Sequence, residues 1–106
     1  MAERSREIAV LETYLHDVET EAEKLMERVS DLADPHDILA AFELMIGADE
    51  AYKRARDGLI RALSREEMDE VEEVEKETYE KYWKAFEMLA DLIADGIKSR
   101  ARHVGG

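Results

Sequence analysis

The sequence predicts an all-α protein, an antiparallel up-down-up three-helix bundle with coiled-coil-like heptads and a long third helix. Three observations carry this. Apolar residues recur at three- and four-residue intervals through most of the chain. The single proline, in "DLADPHD", and a capping box, in "LSREE", divide that pattern into three. Both connections are short, so successive helices are expected to lie antiparallel.

The first helix is expected from about Arg4 to Leu32. Ile8, Leu11, Leu15, Val18, Ala22, Leu25, Val29 and Leu32 alternate between a and d positions over four heptads. The second begins with Asp34 as N-cap, Pro35 at the first helical position and Asp37 in the first turn. It runs to about Leu63 on a seam of Ile38, Ala41, Met45, Ala48, Tyr52, Ala55, Leu59 and Ala62. Every other position of that seam is alanine, which lets a neighbour approach closely. Gly47 and Gly58 lie inside this helix, each costing about 1 kcal/mol against alanine. Idealised designs usually avoid them.

Ser64 and Glu67 form the capping box, and a sharp turn is expected there. The third helix starts at about Arg65 and reaches Ile97 or beyond. Its in-phase seam is Met68, Val71, Glu75, Thr78, Tyr82, Ala85, Leu89 and Leu92. As the longest helix it should project past the bundle or fray after Gly96. Residues 98–106, "KSRARHVGG", read as a basic flexible tail following a single domain over 1–97. With helices one and three parallel, Ile8 falls level with Met68, Leu15 with Glu75 and Val29 with Leu89.

A chain of 106 residues suits one domain with a modest core. Its 45% hydrophobic and 40% charged residues argue against disorder and against a membrane span. The N-terminus lacks the apolar region of a signal peptide, and there is no cysteine, so a cytoplasmic protein without disulfides is expected. The net charge of −12 disfavours direct nucleic-acid binding and attracts basic partners. Solubility is the plain explanation, and adaptation to high salt would give the same excess of acid.

No catalytic residue, metal or cofactor is expected. Glu75 is the one carboxylate on the third seam, with Tyr52, Lys53, Arg56 and Asp49 near its height. It reads either as a buried general base or, with more weight, as a polar layer fixing helix register through Arg56 or Lys53. Neither a nucleophile nor a glycine-rich phosphate loop adjoins it. Glu27 and Asp31, and Glu87, Asp91 and Asp95, have the spacing of metal-binding carboxylates. All but Asp95 fall on outward positions, and no Glu-x-x-His is present. His16, His36 and His103 do not converge.

From Glu66 to Glu80 there are nine acids and one lysine. Glu66, Glu67, Glu70, Glu73 and Glu77 read as a solvated face, or alternatively as an imitation of a nucleic-acid backbone occupying a basic groove on another protein.

The stretch "YEKYWKAFEMLADLIADGI", residues 79–97, carries more apolar residues than one seam uses. A second row runs through Tyr79, Trp83, Phe86, Ala90, Ile93 and Ile97. Leu39, Phe42 and Ile46 on helix two, with Met26 on helix one, show the same surplus at that height. Such a surface calls for a cover. A second copy in a two-fold homodimer through helix three is the first expectation, another protein's helix the second and a small apolar ligand the third. The function expected is therefore association with another chain. An acidic inhibitor or adaptor is the alternative, and a ligand-binding or catalytic bundle centred on Glu75 the third reading.

Overall fold

The computed structural model describes the backbone of residues 5–105 and the side chains of residues 5–97. It is a three-helix bundle: α1 spans Arg6–Ser30, α2 Pro35–Leu59 and α3 Arg65–Gly105, with a 3-10 turn at Ile60–Ala62 ending α2. The molecule measures 67 × 22 × 20 Å, its long axis set by the 41 residues of α3.

Local chemistry fixes each boundary. The Ser5 hydroxyl accepts from the Ile8 N–H at 3.3 Å and caps α1. Asp34 Oδ1 accepts from the His36 N–H at 2.8 Å, and Pro35 opens α2. Between them α1 closes in a Schellman turn, with Ala33 N–H bonded to Arg28 O at 3.1 Å and Leu32 N–H to Val29 O at 3.3 Å. That turn puts Leu32 in the left-handed region, at φ 54°, where glycine is usual. At the other junction the capping box forms reciprocally. Glu67 N–H donates to Ser64 Oγ at 3.2 Å, and Ser64 N–H donates to Glu67 Oε1 at 3.0 Å.

Two details differ from the sequence expectations. Leu32 leaves the α1 seam and is 84% exposed, because the left-handed turn rotates it away from the core. Ala62 is exposed, because the 3-10 turn winds with three residues per turn and drops the seam's phase. The backbone is helical through Gly96 to Gly105, where helix three was expected either to project past the bundle or to fray.

The core draws most heavily on α1, which buries Ile8, Leu11, Leu15, Val18, Ala22 and Leu25. Helix α2 adds Ile38, Ala41, Met45 and Tyr52, and α3 adds Val71, Tyr82 and Ala85. Helix α1 packs closely against both neighbours, whereas α2 and α3 meet mainly through long side chains. Small Ala41 on α2 lets α1 approach. Rings and long polar groups hold α3 farther off.

Three rungs join α2 to α3. Phe42 meets Phe86 with ring centroids 6.2 Å apart, Tyr79 bonds to Asp49, and Arg56 pairs with Glu75 at 3.3 Å. The rungs step by seven along α2 and run backwards along α3, which is the antiparallel register. Lys81 ties α3 to α1 by bridging Glu19 and Glu23, the latter at 2.9 Å. Among the described residues no helix is long and apolar enough to cross a membrane.

Candidate association surface

Helix α3 is longer than α1 and α2, and its apolar content continues past the level where they stop. At that level the bundle opens into a cavity of about 690 Å³. Its floor is the end of α1 and the following turn, with Val29, Leu32 and Ala33. One wall is the start of α2, with Ile38, Leu39 and Phe42; the other is α3, with Phe86, Leu89 and Ile93. Among the described residues the lining is almost wholly carbon, so water inside it gains few hydrogen bonds.

The second row of α3 borders this opening. Trp83 is 56% exposed, and Ala90, Ile93 and Ile97 are also exposed. Phe86 sits at the edge of exposure, and Phe42 and Ile46 on α2 are half-buried beside it. The rings form a chain. Tyr79 packs edge-on to Tyr82 at 5.7 Å, Tyr82 to Trp83 at 5.2 Å, and Trp83 to Phe86 at 5.7 Å. Each edge-to-face contact contributes roughly 0.5–1.5 kcal/mol beyond burial and limits the rotamers of the next ring. Trp83 is thus held in place while more than half open to solvent. Leu39 is exposed on the facing helix, and Met26 lies half-buried against the core.

Tyr79 belongs to this row by position, but its hydroxyl turns inward to Asp49. Asp49 is only 5% exposed, and its other oxygen pairs with Lys53 at 3.0 Å. Burial first, then the bond to Asp49, pushes the Tyr79 phenol well above its usual pKa. The hydrogen bond to Asp49 likewise raises Lys53.

The polar layer is therefore spread over two rungs. Glu75, on the third seam, is half-buried and paired with Arg56, while the more deeply buried carboxylate is Asp49. The Tyr52 hydroxyl lies beside Arg56 and Glu75 without a well-formed hydrogen bond to either. Burial, and secondarily the Glu75 charge, holds its proton. Glu75 is paired with Arg56, and Asp49 with Lys53 and Tyr79.

On the acidic run, Glu66, Glu70, Glu73 and Glu77 lie at the surface. Glu67 serves its own helix as the cap partner of Ser64. Among the described residues no three His, Asp or Glu side chains gather closely enough to hold a metal. His16 and His36 are exposed and apart, and the side chain of His103 lies outside the described residues.

Sequence reasoning missed two leucines. Leu32 looked like a core residue because the heptad continues through it. Leu44, exposed on the other flank of α2, belongs to neither seam. Asp49 was legible in principle, since Met45, Asp49, Tyr52 and Arg56 form a four-three-four row. No protein-family profile, curated protein or solved structure matches the chain.

Proposed function

We propose that this protein works by association, as a cytoplasmic homodimer joined through the second apolar row of α3 and the first half of α2. The observation that carries the reading is Trp83. It is 56% exposed, locked between Tyr82 and Phe86, and set beside an open carbon-lined cavity. A large, rigid, half-desolvated aromatic next to a pocket is the usual anchor of a protein interface. Contiguous apolar surface of this kind on a single chain generally marks a contact site. A second copy is the simplest cover, because a two-fold axis uses the same patch twice.

Light scattering on wild type and Trp83→Glu tests this. Wild type should weigh about twice the 12.2 kDa of one chain, and Trp83→Glu should be monomeric with the bundle itself still folded. A monomeric wild type at high micromolar concentration would overturn the homodimer.

A further inference from the structure

We infer that the two α3 helices pair antiparallel about Ala90, so that the end of each α3 supplies a fourth helix to its partner's bundle. This rests on the association reading above and gives it a direction and a register.

The first observation is a vacancy. Helix α1 packs closely on both α2 and α3, while α2 and α3 stand farther apart and are bridged by long side chains. That is the outline of a four-helix bundle with one corner empty. The second is an overhang. Val29, Leu32 and Pro35 meet Leu89, Ile93 and Gly96 around the cavity, where α1 ends and α2 begins. Helix α3 then continues to Gly105, beyond its own bundle. The corner lacks a helix, and the helix end lacks a bundle.

The third observation is symmetry in the row itself. From Ala90, Phe86 lies four residues before and Ile93 three after, while Trp83 and Ile97 lie seven before and seven after. Turned end for end about Ala90, Trp83 and Ile97 exchange places, and Phe86 and Ile93 do so to within one residue. Trp83 then meets the partner's Ile97, and Phe86 the partner's Ile93. Small Ala90 at the centre lets the two backbones come close, as crossing points require.

Charge selects the direction. Parallel pairing would lay the acidic run 66–80 beside its own copy, nine carboxylates against nine. It would also lay residues 98–102, "KSRAR", with three cations and no acid, beside their own copy. Antiparallel pairing about Ala90 sets residues 98–102 alongside 78–82, where Glu80 is exposed and Lys81 is already paired with Glu19 and Glu23. It carries most of the acidic run past the end of the partner's helix. The stacking of acid on acid that parallel pairing would impose is avoided.

The chain has no cysteine, so single cysteines report geometry cleanly. Ala90 and Glu80 are both exposed, and neither substitution disturbs the core. In the inferred dimer Ala90→Cys lies on the two-fold axis and bridges to its mate under mild oxidation. Glu80→Cys lies about 30 Å from its mate, from 1.5 Å rise per residue, and stays reduced. Full-length variants are oxidised and run on non-reducing gels beside light scattering of unmodified protein. A wild-type dimer with bridging at Ala90→Cys alone supports the inference. Bridging at Glu80→Cys, or a wild-type dimer in which neither position bridges, overturns the antiparallel register and leaves the homodimer standing. A monomeric wild type overturns both.

Discussion

The Tyr79 hydroxyl on α3 donates a hydrogen bond to the carboxylate of Asp49 on α2, the most buried carboxylate described in the bundle. Lys53 holds the other carboxylate oxygen from one turn away on α2. The pair crosses the widest helix interface and joins the aromatic row to the core. Tyr79→Phe removes the donor and leaves a buried charge with one partner fewer. We expect a loss of about 1–3 kcal/mol, read as a lower urea midpoint with an unchanged slope. Destabilisation below about 0.3 kcal/mol would show that Lys53 alone satisfies the charge.

The same environment sets an alkaline limit. Tyr79, Tyr52 and Tyr82 all hold folded pKa values above the ordinary 10.0, each chiefly through burial. Unfolded phenols ionise first, so this contribution is whole below pH 10.0 and fades as pH rises towards the folded values. Denaturation midpoints between pH 9 and 11 should fall more steeply for wild type than for Tyr52→Phe or Tyr79→Phe. Parallel pH profiles would contradict it.

Thr78 points into the middle of the bundle, fully buried, and its Oγ1 has no partner among the described residues. Valine has nearly the same shape and no hydroxyl. Thr78→Val should stabilise the protein by about 1 kcal/mol, measured by thermal or urea unfolding. A destabilised variant would reveal a hydrogen bond to an internal water.

Leu32 separates stability from association. Its left-handed backbone costs a leucine about 1 kcal/mol that glycine does not incur, and its side chain lies at the cavity floor, 84% exposed. Leu32→Gly should raise the unfolding midpoint at low protein concentration and weaken dimerisation several-fold in sedimentation. Loss of stability would mean that the side chain contributes more than the turn costs.

The capping box predicts an acid window. The Ser5 hydroxyl facing it, and then the Ser64 N–H, hold the Glu67 carboxyl below its usual 4.5. Its contribution is complete above pH 4.5 and disappears as pH falls through the lower folded value. Glu67→Gln should therefore be less stable than wild type at pH 7 and converge with it in acid. Ser64→Ala, which removes the other half of the box, should cost about 1 kcal/mol at pH 7.

The helices were legible because their ends carry chemistry. Asp34, Pro35 and the Ser64–Glu67 pair act over three or four residues, so a local pattern finds them. Leu32 was not legible, because a Schellman turn built without glycine leaves no mark and the heptad reads straight through it. Asp49 was named beside Glu75 but not as the more buried of the two, since burial depends on how far apart α2 and α3 stand. Heptads say which face a residue takes, not which helix pair is wide. The width follows from pairing the alanines of α2 with α1 and the rings of α3 with Phe42, a three-dimensional choice. The second row itself was visible as a surplus, and the structure adds the cavity that gives it depth.

The length of α3 past its neighbours has a thermodynamic consequence. A helix segment of roughly a dozen residues that runs past the ends of its neighbours is marginal in water on its own, because nucleation and backbone entropy consume what its own hydrogen bonds contribute. Helicity beyond Ile93 is then linked to whatever covers the segment, and the ellipticity of the chain becomes a function of its own concentration. Dilution would unwind the end of α3 before it disturbs the bundle, and amide exchange there would report occupancy rather than global stability.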